Sequence, residues 1–360
     1  MSDVYFLPVE VKRMDAKRSL LARYERLLGK LITREMVEGK TTAIKLHLGG
    51  RYSYSHVHPA FVVPVVARVK ECGGEPFVTD HRTGNPAAGG VPAAFGCPIY
   101  HATGLGDKYF YRVKTGVRML PEIELAGTLH DAEVLINLSH VKGHGQCAFG
   151  AAIKNLGMGA VTAKSRTDIH MLMDRAFRWH AERCRRCRRC IEHCEHNAIW
   201  FTKERKLVQD AHFCTLCLHC MMVCPAGAIT VGKKGWPKFQ TGLALATKAV
   251  LDTFEKKRVL HINVALHIMA ICDCFGFSLP SLRPDVGVVV STDIVAAEKA
   301  TLDLIDAPEV LAGSLPEGID VANGTGHILA RIWRKDPYLQ VREAARLKLG
   351  NLRYRLKKMS

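Results

Sequence analysis

Residues 42–48 read TAIKLHL, residues 59–71 read PAFVVPVVARVKE, and residues 76–80 read PFVTD, with Gly73-Gly74 between the last two. The first and third are short runs rich in β-branched and aromatic residues, which suit strands. The middle run opens on a proline, a favoured first helical residue, and stops before the glycine pair. Strand, helix and strand in that order form a βαβ unit, and a parallel sheet is its natural architecture. Working outward, residues 15–32 carry Leu20, Leu21, Tyr24, Leu27, Leu28 and Leu31 on one helical face. Residues 133–138 read as a buried strand running into Ser139-His140-Val141-Lys142-Gly143-His144. Further on, 241–256 suggests a helix, 259–264 and 285–291 strands, and 294–304 a helix. The expected fold is therefore α/β, a parallel-sheet, Rossmann-like domain built from residues 1–180 and 234–330. Residues 181–233 interrupt it, and 331–360 follow as a basic helical segment.

That last segment holds ten Lys and Arg against two acids, and Val341, Ala345, Leu349, Leu352 and Leu356 recur at helical spacing. A C-terminal helix docked on the core with a basic outer face is the expectation. The whole chain of 360 residues carries a net charge of +17, which points to an anionic partner without naming one. With 48% apolar residues it can bury a real core, which excludes a disordered tail. The longest apolar stretches, 60–69 and 286–290, are far below the ~20 residues that a spanning helix needs. The first ten residues lack a secretory pattern. No transmembrane segment and a reducing cytoplasmic setting are expected, where cysteines serve metal or redox chemistry.

Eight of the 13 cysteines fall in 184–224. Cys184, Cys187, Cys190 and Cys194 read C-x2-C-x2-C-x3-C, and Cys214, Cys217, Cys220 and Cys224 repeat that spacing 30 residues later, followed by Pro225. The tails repeat as well, Asn197-Ala198-Ile199 against Gly227-Ala228-Ile229. Zinc sites also use C-x2-C pairs, but as two pairs separated by a longer loop. The compressed quartets are similar to those of bacterial two-cluster ferredoxins, in which the fourth cysteine of each run ligates the other cluster. That resemblance implies two 4Fe–4S clusters, one on Cys184, Cys187, Cys190 and Cys224, the other on Cys214, Cys217, Cys220 and Cys194. Glu195 stands where such runs usually have proline. Arg183, Arg185, Arg186, Arg188 and Arg189 interleave the first run. They either balance cluster charge as a solvated loop or form a docking face for an acidic redox partner, a ferredoxin- or flavodoxin-like protein or an oxidoreductase subunit.

The runs DAEVLINLSHVKGH (131–144) and AIKNLG (152–157), with Cys272-Asp273-Cys274, Pro284-Asp285-Val286-Gly287 and STDIVA (291–296), resemble the "domain of unknown function 362" family. The likeness spans roughly residues 40–310, and the subgroup resembled carries an inserted two-cluster ferredoxin domain. It implies a redox or iron–sulfur protein but brings no defined reaction, so the remaining residues are read on their chemistry.

His140, Lys142 and His144 alternate, so an extended segment puts all three on one face. Together they suit an anionic substrate, and the two imidazoles alone suit a metal. An ordinary strand-end turn with surface histidines explains the same residues. Lys154 and Asn155 lie among Gly150, Gly157 and Gly159, a turn whose backbone could approach a phosphate or carboxylate. Cys272 and Cys274 are candidate ligands of a third metal, redox thiols facing a substrate, or packed loop residues. Cys72, Cys97 and Cys147 lack ligand spacing and read as core, with Cys147 notable for following His144 by three residues. His56 and His58 precede the helix at Pro59, whose N-terminus would favour an anion.

The expected function is single-electron transfer through two 4Fe–4S clusters to a small anionic substrate held by His140, Lys142, His144, Lys154 and Asn155. An electron carrier that only docks to a partner enzyme is the second reading. A non-redox enzyme with structural or sensory clusters is the third. No dinucleotide fingerprint follows a strand, which disfavours a nicotinamide; whether a flavin binds is open. Nucleic acid is disfavoured because no aromatic residues interleave the basic tail.

Overall fold

Eight strands form the central sheet of the computed structural model, which describes residues 1–10, 13–50, 52–81, 92–173, 178–194, 197–209, 218–230, 235–316 and 319–359. Their order across the sheet is Tyr354–Lys358, Ser2–Pro8, Gly287–Ser291, Val259–Ala265, Val134–His140, Thr41–Lys45, Glu75–Asp80 and Ile99–His101. The last five run parallel. Gly287–Ser291 is antiparallel to both of its neighbours, so the sheet is mostly, not wholly, parallel.

The expected elements appear with shifted ends. The Pro59–Glu71 helix starts at its proline as read, with Phe61, Val62, Val65, Val66 and Val69 buried. Each such side chain contributes about 1.5–3 kcal/mol of burial. The first amphipathic helix begins only at Leu20, where the Ser19 hydroxyl accepts the N–H of Ala22. The helix read at 241–256 runs Trp236–Leu251.

Helices cover both faces of the sheet. Alternate strand residues explain this: Ala43, Phe77, Leu135 and Val289 face one core, Ile44, Val78, Ile136 and Val288 the other. Leu20–Leu31 and Pro59–Glu71 pack on the second face, Ala152–Gly159, Trp236–Leu251 and Ile294–Ile305 on the first. The segments before and after the cysteine-rich stretch thus share one sheet, with Val134–His140 and Val259–Ala265 hydrogen-bonded side by side. Among the described residues no helix is long and apolar enough to cross a membrane.

The C-terminal reading needs correction. Residues 331–360 are not one basic helix. Leu339–Arg346 is helical, but Tyr354–Lys358 is a strand that pairs in parallel with Ser2–Phe6 at the sheet edge. Val341 is buried, whereas Leu352 and Leu356 are 40% and 41% exposed. The helical stripe was a coincidence of spacing, because the edge strand Ser2–Pro8 offered unpaired backbone that a strand satisfies and a helix cannot.

The cysteine-rich segment is small and internally repetitive. Short helices Arg189–Glu192 and His219–Met222 each follow a residue in the left-handed region, Arg188 and Leu218. Cys194 Sγ accepts the N–H of Ala198 at 3.2 Å and Cys224 Sγ that of Ala228 at 3.3 Å. All four correspondences are 30 residues apart, as in the sequence. Arg178–Trp179 pairs with Ile229–Thr230, and Ile199–Phe201 with Leu207–Gln209.

Candidate functional site

The parallel strands Thr41–Lys45, Glu75–Asp80 and Val134–His140 end on Lys45, Asp80 and His140. The chain winds outward on one side of Thr41–Lys45 and returns on the other, so a crevice opens beyond these carboxyl ends, where open α/β sheets bind ligands. A cavity of about 70 Å³ lies there, lined by Lys45, His47, Asp80, Lys142, Lys154 and Asn155 among others. That is room for several waters or a small anion.

Every lysine in this wall is paired. Lys45 Nζ stands 2.9 Å from Asp80 Oδ1 and 2.8 Å from Asn155 Oδ1. Lys142 Nζ lies 2.6 Å from Asp273 Oδ2, whose carboxylate also meets the His140 ring at 3.0 Å and the Ser55 hydroxyl at 2.8 Å. Lys154 Nζ is 2.9 Å from Cys272 Sγ. Burial opposes the charge on Asp80, yet Lys45 and His47 outweigh it and hold the carboxyl well below its ordinary value. Burial likewise opposes Asp273, and Lys142 and His140 again prevail. Lys154 is also desolvated, but the sulfurs of Cys272 and Cys274 raise its pKa. Burial, reinforced by Arg166, pushes His81 down to about 4. With three lysines and Arg166 against Asp80 on the lining and Asp273 paired to Lys142 behind it, the wall favours a negative ligand.

The structure unites the sequence candidates, though not as each was read. His140 and Lys142 do share a face, both on Asp273. His144 turns to a different set, with Cys272 and Cys274, and the three donor atoms lie within 4.8 Å of one another. Burial, then the Lys154 charge, pushes His144 down to about 4 and keeps it neutral. Lys154 and Asn155 are not in a phosphate-cradling turn; they sit in the Ala152–Gly159 helix. The glycines serve packing instead. A Cβ on Gly157 would stand 2.8 Å from the Leu243 carbonyl oxygen, and one on Gly159 2.4 Å from Lys45 Nζ. Asn155 is a strut, its amide reaching the carbonyl of Lys45 at 3.0 Å and Asn137 Oδ1 at 2.8 Å.

Cys72, Cys97 and Cys147 are buried as read, and burial pushes Cys147 up to about 12. His56 and His58 do not frame an anion site. His58 Nδ1 itself caps the helix by accepting the N–H of Ala60, and burial pushes His56 down to about 4.

Of the two cysteine quartets, Cys184, Cys187, Cys190 and Cys224 line one common cavity with Trp179, Phe201 and Ile229. Burial, then the charges of Cys224, Cys184 and Cys187, push Cys190 up to about 11. Cys220 is buried on the His219–Met222 helix, Cys194 is half-buried, and Cys214, Cys217 and Glu195 lie outside the described residues. Arg183, Arg185, Arg186, Arg188 and Arg189 are all exposed.

Lys45, His47, Asp80, His81, Arg166 and His219 escaped the sequence reading. A lysine closing one buried strand, and an aspartate closing the next, were signals for Lys45 and Asp80. His219 carried none, for its role depends on docking. Its Nε2 lies 3.7 Å from Cys274 Sγ and its ring stacks on Phe275 at 3.9 Å. One residue pair nearby shows how close the approach is: a Cβ on Gly145 would come 1.9 Å from Met222 Sδ. The cysteine-rich segment thus abuts the pocket wall.

The family described as Domain of unknown function (DUF362) matches residues 42–303. That span holds every pocket residue named above and leaves the paired strands Ser2–Pro8 and Tyr354–Lys358 outside. No curated protein matches the chain.

Proposed function

The chain belongs to the DUF362 family, and from that premise we propose that it is an iron–sulfur protein passing single electrons through two 4Fe–4S clusters to a small anionic substrate in the pocket. The carrying observation is that Cys224 of the second run joins Cys184, Cys187 and Cys190 of the first around one cavity. A single ion would need its donors bunched. Four thiolates spread around a cavity, three from one run and one from the other, suit a cubane of the ferredoxin type. Cys214, Cys217, Cys220 and Cys194 are then the second set, and residues 181–233 a ferredoxin-type insert. The clusters supply one-electron chemistry; the rest belongs to the chain.

Lys142 and Lys154, held by Asp273 and Cys272, present ammonium groups to the substrate and stabilise charge that develops on it. Asp273 orients His140 and Lys142 together, and Asn155 with Asp80 fixes Lys45. The contact of His219 with Cys274 and Phe275 brings the His219–Met222 helix, which carries Cys220, against this wall. The exposed arginines around the first set offer a docking face to an acidic redox protein. None of the 11 described cysteines forms a disulfide.

The test is anaerobic purification with iron and acid-labile sulfide measured per chain, followed by electron paramagnetic resonance after reduction with dithionite. About eight irons and eight sulfides, with signals of reduced 4Fe–4S clusters, are expected. Stoichiometric zinc without sulfide overturns the reading.

A further inference from the structure

We propose that His144, Cys272 and Cys274 form a separate site for one thiolate-preferring divalent ion of the zinc type, at the junction between the pocket and the cysteine-rich segment. The proposal does not depend on the iron–sulfur reading, because none of these residues belongs to either quartet.

Geometry carries it. The three donor atoms lie within 4.8 Å of one another, with His144 coming from 128 positions before Cys272. A tetrahedral ion with bonds of about 2.3 Å to sulfur and about 2.0 Å to nitrogen sets donors roughly 3.5–3.8 Å apart, so slight closure suffices. Two thiolates and an imidazole are a zinc-type donor set, and carboxylate-preferring magnesium or calcium would find no oxygen among them.

The surroundings hold the donors in place. Cys272 and Cys274 flank Asp273 in a single tight turn, and Asp273 is anchored on Lys142, His140 and Ser55. The thiol of Cys272 accepts the N–H of Cys274 at 3.3 Å and faces the Lys154 ammonium at 2.9 Å. The His144 ring is held from behind. Its Nδ1 accepts the N–H of Gln146 at 3.2 Å and lies 3.2 Å from Cys147 Sγ, which in turn donates to the carbonyl of Phe149 at 3.1 Å. These contacts fix the orientation of the ring. His144 is 4% exposed and Cys272 fully buried, so the turn is no surface clasp. His219 Nε2, at 3.7 Å from Cys274 Sγ, places the ion next to the cysteine-rich segment.

The experiment takes the full chain, purified anaerobically from cells supplied with zinc or with cobalt, and measures iron, sulfide, zinc and cobalt per chain. X-ray absorption at the zinc or cobalt edge reads the donors. One zinc or cobalt per chain, bound by two sulfurs and at least one nitrogen, is expected. Cys272→Ser/Cys274→Ser loses that ion while iron and sulfide stay at the wild-type level, which shows the variant is folded. His144→Gln weakens cobalt binding at least tenfold. Wild-type chain with full iron and sulfide but no zinc or cobalt overturns the site and leaves the cluster reading standing. An ion retained by the double cysteine variant overturns it as well. Absent iron and sulfide, with one ion still lost in the double variant, sinks the cluster reading and upholds this one.

Discussion

Glu298 should make the protein less stable as pH rises through neutrality, contrary to the usual behaviour of a carboxylate. It is fully buried on the Ile294–Ile305 helix. Its Oε1 accepts the N–H of Ile153 at 3.2 Å, a cap that Ala151 has no side chain to provide. Burial nonetheless pushes its carboxyl up to about 8, against the pull of the Ile153 and Ala152 amides and of Asn263. Between the ordinary 4.5 and about 8, the folded protein keeps a proton that the unfolded chain has released. Stability from this group is therefore full below pH 4.5, falls as pH rises toward 8 and is flat above. At about 1.4 kcal/mol per pH unit the whole loss is about 5 kcal/mol, of which about 3 falls between roughly pH 5.5 and 7.5. The assay is anaerobic urea unfolding, followed by circular dichroism, of wild type and Glu298→Gln across that range. Glutamine keeps an oxygen for Ile153 but does not titrate, so the difference between the two curves isolates Glu298. A wild-type advantage that shrinks by about 3 kcal/mol with rising pH is expected. A difference that stays flat, or grows with pH, refutes a neutral Glu298.

Asp273→Asn strands the buried Lys142 ammonium and should cost about 3–5 kcal/mol, while Asp273→Asn/Lys142→Met recovers most of that loss. Urea midpoints of the two variants check this, and equal losses in both contradict it. Leu356→Lys should change stability by less than about 0.5 kcal/mol, because Leu356 sits exposed on an edge strand, whereas Val341→Ala should cost about 1–3 kcal/mol in the core. Thermal unfolding separates them, and a large loss at Leu356 would restore the helical reading of the tail.

Local chemistry made much of this protein legible. Periodicity and turn residues sufficed for the βαβ unit, since a strand buried on both faces must be apolar throughout and Pro59 can only begin a helix. The 30-residue repeat of the cysteines showed as plainly, because ligand spacing is a property of contiguous chain. Cys72, Cys97 and Cys147 read as core for lack of such spacing, and they are. What only the tertiary structure decided lies between residues far apart in sequence. Lys154 and Asn155 looked like a glycine turn until packing against Trp236–Leu251 required a helix with small residues at the contact. The tail's apolar spacing fitted a helix until the edge of the sheet claimed it as a strand. Asp273 reaches Lys142 and His140 across more than 130 and His219 reaches Cys274 across 55 positions, and no local signal marks such a pairing. Sequence alone thus names the residue types able to bind anions and metals. The sheet's switch in strand order brings their charges into one buried place, where low dielectric forces each to find its partner.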